Sequence, residues 1–138
     1  MFYNDCINSV SILKEALTDD NLLVVYSLVK KHLNMSSGKI GSQCGHAVHY
    51  LLKEYYEKLN CNEFNQRMTL WIESKEHTKI TLSTSDKEWE ILKKEYNFIY
   101  VTDAGKTEIS TGTETVAILY PMLKSERSKV LKRCQALK

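Results

Sequence analysis

The sequence predicts an α/β fold: a four-stranded mixed β-sheet with helices packed on both faces, a three-layer α/β/α arrangement. Three observations carry that prediction. The apolar, partly β-branched run LLVVYSL at 22–28 reads as a buried strand. The long stretch after it repeats apolar residues every three or four positions, the period of a helix with one buried face. The rest alternates short strand-like segments with helical ones, and crossovers through helices favour parallel pairing of some neighbours.

Bulk properties narrow the class. A chain of 138 residues builds one hydrophobic core rather than two. Its 43% hydrophobic and 26% charged content is that of an ordinary soluble domain. No apolar run is long enough to span a membrane, and the first residues lack the pattern of a secretory signal. A cytoplasmic protein with no membrane partner is the expectation. Cys6, Cys44, Cys61 and Cys134 are too far apart for a thiolate zinc site and read as free thiols.

The elements follow in order. Residues 1–20 form an N-terminal extension, with Ile7, Val10, Leu13 and Leu17 on one stripe of a short amphipathic helix at 5–17. They hold Lys14 against Asp5, Glu15, Asp19 and Asp20, a local charge of −3, so the total of +2 leaves +5 for the domain at 21–138. After the strand at 22–28, a polar loop runs from Lys30 to Gly38. A helix then extends from 38 or 39 to about 58, burying Ile40, Cys44, Ala47, Val48, Leu51 and Tyr55. Lys39, Gln43, His46 and Tyr50 fall on a second stripe.

A loop at 60–65 precedes a short helix at 68–73 with Trp71 inward. The segment 79–83 alternates as a strand. Ser85 and Glu88 make a capping-box pattern ahead of a helix on Trp89, Leu92 and Tyr96. Strands follow at 98–101 and 115–119, with the long connection 103–114 permitting an antiparallel return. A helix at 125–137 on Val130, Leu131 and Cys134 closes the chain.

Two polar segments sit where this architecture places loops at strand ends, the usual location of a ligand. The first runs from Met35 through Ser36, Ser37, Gly38 and Lys39 to His46 and Ala47. Backbone N–H groups at a helix start, hydroxyls and a lysine suit a phosphate or an oxyanion, and equally suit a capped helix with a solvated lysine. The spacing is not that of a nucleotide-binding P-loop. His46 is of a type that can accept or donate a proton in catalysis, or it serves the structure. His49 lies three residues on, but no third ligand completes a metal site. Cys44 belongs to the buried stripe and reads as a small hydrophobe rather than a nucleophile.

The second segment is Asp103-Ala104-Gly105-Lys106-Thr107-Glu108, followed by Gly112-Thr113-Glu114-Thr115. A carboxylate directly after an apolar strand orients a water or a lysine, or caps its own turn.

These residues resemble the archaeal and eukaryotic type of peptidyl-tRNA hydrolase. Gly38-Lys39-Ile40-Gly41-Ser42-Gln43-Cys44-Gly45-His46-Ala47 is similar to that family's Gly-Lys-x-Ala-(Ala/Ser)-Gln-Cys-x-His-Ala. Residues 103–107 and 112–115 are similar to its Asp-Ala-Gly-(Arg/Lys)-Thr and Gly-Thr-x-Thr. The resemblance spans about 22–137, and Trp71, Lys79 and Pro121 fall near family landmarks. Ser37 stands where the family has a second lysine, His32 where it has a carboxylate, and Glu108 and Glu114 where glutamine is frequent. The missing lysine and the two glutamates lower the local positive field, whereas His32 only removes a carboxylate.

The resemblance implies hydrolysis of the ester joining a peptide to the 3′ end of tRNA, with peptidyl-tRNA as partner, no cofactor and no metal. Some members of that family are homodimers, which keeps a homodimer open here. It implies a catalytic set of Lys39 for charge stabilisation, Asp103 to orient or deprotonate water, Thr107 to hold it, and His46 as alternative base or loop support. Substrate contacts would come from Lys30, Lys31, Ser37, Gly38, Gln43, Lys106, Thr113 and Thr115. Two other readings fit the same residues: a non-enzymatic RNA-binding or protein-interaction domain on this fold, and an esterase for another carbonyl substrate.

Overall fold

The computed structural model describes residues 17–18, 21–57, 62–105 and 109–138. The expected helix at 5–17 lies outside the described residues except for Leu17, as do Lys106, Thr107 and Glu108.

Strand β1 (Leu23–Lys30) is buried along almost its whole length. That is why its sequence is continuously apolar instead of alternating. It pairs in parallel with β2 (Lys79–Thr84) and antiparallel with β4 (Glu114–Leu119), and β4 pairs antiparallel with β3 (Phe98–Thr102). These are the four expected strands, and β3 and β4 make the antiparallel return.

The sheet has six strands rather than four. Pro121 interrupts the chain after β4, and β5 (Met122–Leu123) then runs on in the same direction, antiparallel to the start of β1. At the other side β6 (Gln135–Ala136) covers the edge of β2. Each added strand is two residues long, too short for a period-two pattern to register. The order is β3-β4-β1-β2-β6, with β5 on β1. One row of paired residues, Val101, Val116, Val29, Ser83 and Gln135, crosses all five strands of that path. Because β1, β2 and β3 run the same way, their C-terminal ends share one end of the sheet.

Alternate residues of β1 enter two separate core clusters. Val25 and Val29 join Ala47 and Leu51 of α1 (Ser37–Glu57) and Met68 and Trp71 of α2 (Glu63–Glu73). Val24, Tyr26 and Leu28 join Trp89 and Leu92 of α3 (Asp86–Glu95) and Leu131 of α4 (Lys129–Arg133). The capping box is present: Ser85 N–H donates to Glu88 Oε1 at 2.8 Å, and Glu88 N–H to Ser85 Oγ at 3.2 Å.

Several boundaries move. β1 runs on to Lys30 and a 3-10 turn takes Lys31–Leu33, so little of the expected loop is irregular. Helix α2 begins at Glu63, because Asn62 caps it by accepting from the Asn65 N–H at 2.8 Å. The final helix shrinks to Lys129–Arg133. After Cys134 the chain becomes extended, and Leu137 N–H donates to the Thr81 carbonyl at 3.0 Å. An unpaired strand edge at β2 outcompetes about one more helical turn. Among the described residues no helix is long and apolar enough to cross a membrane.

Candidate functional site

Asp103 follows β3 directly. Just before it the β3–β4 ladder slips: Val101 pairs with Val116, but Thr102 pairs with Glu114, leaving Thr115 as an extra residue. Such a bulge bends a strand end and re-aims what comes next. The hairpin resumes with Asp103 N–H donating to the Thr113 carbonyl at 2.9 Å and Gly112 N–H donating to the Asp103 carbonyl at 2.8 Å. The Asp103 backbone is therefore fixed on both sides.

Its side chain is fixed as well. Oδ2 accepts the Gly105 N–H at 2.6 Å, and Oδ1 accepts from Lys39 Nζ. Lys39 lies in the first turn of α1, where Ser36 Oγ accepts the Lys39 backbone N–H at 3.2 Å and caps the helix. The ion pair is largely sealed from water, with side-chain exposure of 11% for Lys39 and 1% for Asp103. The Lys39 ammonium holds the Asp103 carboxyl below its ordinary range, burial opposes that, and the Gly105 N–H adds to the lowering. Asp103 is thus both a turn cap and the partner of a lysine; the two sequence readings are the same geometry.

Gly105 adopts φ +75°. A Cβ there would overlap the Thr111 hydroxyl and come within 3.1 Å of its Cα. Both the left-handed conformation and the close approach require glycine.

Gln43 and Thr115, expected to contact substrate, are buried at 4% and 0% exposure. Gln43 Nε2 donates to Thr115 Oγ1 at 2.7 Å, and Thr115 Oγ1 donates to the Val101 carbonyl at 3.1 Å. Gln43 therefore sits on the inner face of α1 with Ala47 and Leu51, and the expected polar stripe is split. An amide is tolerated there because the bulged Thr115 offers it a partner. His46 and Tyr50 face outward and are exposed. Cys44 is half-buried, and burial pushes its thiol pKa up, as befits a packing residue.

The other expected contacts distribute along the same end of the sheet. Lys30 ends β1 with its ammonium 4.9 Å from the Trp89 ring centroid. Lys31 is exposed at the start of the 3-10 turn, and Ser37 and Gly38 are exposed in the first turn of α1. Thr113 is half-buried, its N–H donating to the Ser110 carbonyl at 3.2 Å. Glu114, read from sequence as a carboxylate that lowers the local positive field, is paired: Lys93 Nζ donates to its Oε1 at 2.8 Å and also lies 4.6 Å from the Tyr100 ring centroid. The spacing between Lys93 and Glu114 gave no signal for this pair, which forms through α3 and β4.

Three surface depressions, of about 350, 250 and 430 Å³, are lined by residues other than Lys39 and Asp103. Among the described residues no group of three or more His, Cys, Asp or Glu side chains is arranged to hold a metal ion. Chemically, the site offers a fixed ammonium and an ionised carboxylate with lone pairs to spare, which suits attack of water on a carbonyl.

The family model described as Peptidyl-tRNA hydrolase PTH2 matches residues 23–137. The chain is similar to a peptidyl-tRNA hydrolase of Sulfolobus acidocaldarius, with 34% identity over 102 residues covering 68% of this chain and 82% of that one.

Proposed function

The chain belongs to the Peptidyl-tRNA hydrolase PTH2 family, and from that membership we propose that the Lys39–Asp103 pair is its reactive centre. The reaction is hydrolysis of the ester between a peptide and the 3′ end of tRNA. The observation that carries the assignment is the sealed ion pair between the start of α1 and the exit of β3.

Water adds to the ester carbonyl, and negative charge develops on its oxygen. The Lys39 ammonium, held at a fixed place by Asp103, stabilises that charge without reorganising. Asp103 stays ionised well below neutral pH, which makes it a weak proton acceptor and a good orienter of water. Its carboxylate has acceptor capacity beyond the Lys39 and Gly105 bonds. Thr107 is assigned to hold that water, and His46, exposed on α1, to take its proton and return it to the ribose oxygen as the acyl C–O bond breaks, freeing peptide and tRNA. Gln43 and Thr115 act as a strut that fixes α1 against the β3–β4 bulge. Ser37, Gly38 and Thr113 line the approach, and Lys30, Lys31 and Lys106 meet phosphates.

Residues 21–138 form the catalytic domain, with 1–20 as an extension. The two core clusters on β1 support a three-layer α/β/α arrangement. Free Cys44 and Cys134 fit the reducing cytoplasm. Single-turnover hydrolysis of peptidyl-tRNA by folded Lys39→Ala and Asp103→Ala variants tests the centre: near-wild-type rates in both would reject it.

A further inference from the structure

The depression of about 430 Å³ lies at the opposite edge of the sheet from Asp103, lined by Lys31, Ser83, Glu88, Arg133 and residues 135–138. Its lining is polar and basic. Glu88 is the one carboxylate side chain, and its Oε1 is committed to the Ser85 N–H. Among the described residues neither Lys31 nor Arg133 makes an ion pair. Arg133 Nε donates to the Lys129 carbonyl at 3.3 Å, which fixes the stem of its guanidinium. Lys138 adds an ammonium. Behind the depression, residues 127–138 hold Arg127, Lys129, Lys132, Arg133 and Lys138 without an Asp or Glu. This is a concentrated basic run that core packing does not require.

The register relates this depression to the reactive centre. Ser83 and Gln135 line it, and both belong to the row that ends at Val101, two residues before Asp103. Four strand spacings separate the two edges, about 19 Å at roughly 4.8 Å each. Lys31 follows β1 at the same end, between them. At about 3.4 Å per stacked nucleotide of one strand, the gap corresponds to five or six nucleotides.

We propose that this depression is a phosphate subsite for the RNA part of the substrate, with Lys31 and Arg133 as its cations. It grips the tRNA backbone several nucleotides from the ester while the 3′ end reaches Lys39 and Asp103. The proposal rests on the peptidyl-tRNA reading and names which surface recognises the tRNA. Arg133 fits the task because a guanidinium binds a phosphate with two parallel N–H bonds.

The test measures affinity of the full-length chain for deacylated tRNA across a salt series. The Lys31→Gln/Arg133→Gln variant should bind about tenfold more weakly at low salt, and its log affinity against log salt should flatten by about two. A matched control, Lys75→Gln/Lys94→Gln, removes the same charge from the opposite end of the sheet and should shift affinity less than about twofold. A 3′-terminal oligonucleotide of about three nucleotides is too short to span the gap and should bind both variants alike. Equal weakening by the two double variants, or an unchanged salt slope in the first, overturns the subsite. Arg133→Glu, an exposed single change, must weaken tRNA binding further than Arg133→Gln; if it does not, the proposal fails. Wild-type protein that binds tRNA in this pattern without hydrolysing peptidyl-tRNA would instead sink the reactive-centre reading and leave the subsite standing.

Discussion

Lys39 and Asp103 stand 64 positions apart in sequence, yet the ammonium of one donates to the carboxylate of the other at the junction of α1 and the β3 exit loop. Each is held independently: Lys39 by a capped helix start, and Asp103 by the Gly105 N–H and two backbone bonds to the returning strand. The pair is a fixed dipole rather than two mobile surface charges, the condition under which electrostatic groups contribute most to a transition state.

Removing either charge should therefore slow chemistry more than it weakens binding. Lys39→Ala and Asp103→Asn are expected to lower the single-turnover rate on the order of 10²-fold or more. The affinity of each for deacylated tRNA should change far less. Rate and affinity measured on the same folded preparations check this. A variant that loses tRNA affinity while keeping its rate would assign the residue to phosphate binding instead.

The pH dependence follows from the direction of the Asp103 shift. Its folded-state carboxyl titrates below the unfolded value of 3.8. The stability it contributes is therefore fully present above that value and is lost as pH falls through the lower folded value. Urea midpoints of wild type and Asp103→Asn should differ by a constant amount from neutral pH down to about pH 5 and converge below about pH 4. For the same reason Asp103 cannot produce an acidic limb in the rate profile near neutrality.

Much of this site was legible in the sequence because its signals are local. The apolar run of β1, the helical period of α1 and the polar segment after β3 each announce an element and its end. Gly105 was legible as a turn residue, and the structure adds that Thr111 packs against it. The parts that stayed hidden depend on long-range pairing. Gln43 looked like a member of a polar stripe, since its spacing matches Lys39 and His46. Only the bulge at Thr115, created by pairing two strands, gives its amide a buried partner. Strands β5 and β6 escaped notice because two residues carry no period, and Glu114 looked unpaired because Lys93 reaches it across the fold.

Gly105→Ala should separate loop geometry from charge. Alanine is strained at φ +75°, and rotating the Thr111 hydroxyl away does not help, because the Thr111 Cα remains at 3.1 Å. The backbone has to shift, taking with it the N–H that holds Asp103 Oδ2. The cost in stability should be about 1–3 kcal/mol, with a loss of turnover of tenfold or more although both charges remain. Thermal unfolding and single-turnover assays measure the two effects, and an unaltered rate would show that the Gly105 N–H does not position the carboxylate.

The strut between α1 and the bulge makes an asymmetric prediction. Gln43→Met keeps the volume of a buried side chain and removes one donor, while Thr115 still donates to the Val101 carbonyl. Its cost should be about 1 kcal/mol, that of a single neutral hydrogen bond. Thr115→Val also keeps shape, but it takes the acceptor from the buried Gln43 amide and one donor from the Val101 carbonyl at the point where the ladder slips. Burying unsatisfied polar groups costs about 1–3 kcal/mol each, so Thr115→Val should be clearly the more damaging of the two. The Gln43→Met/Thr115→Val double variant removes both polar partners and no longer buries the Gln43 amide without an acceptor. It should therefore be more stable than Thr115→Val alone, which urea denaturation of the four proteins measures as a coupling energy. If the two single changes cost the same and add without coupling, Gln43 does not depend on Thr115, and its place on the inner face of α1 is a matter of packing alone.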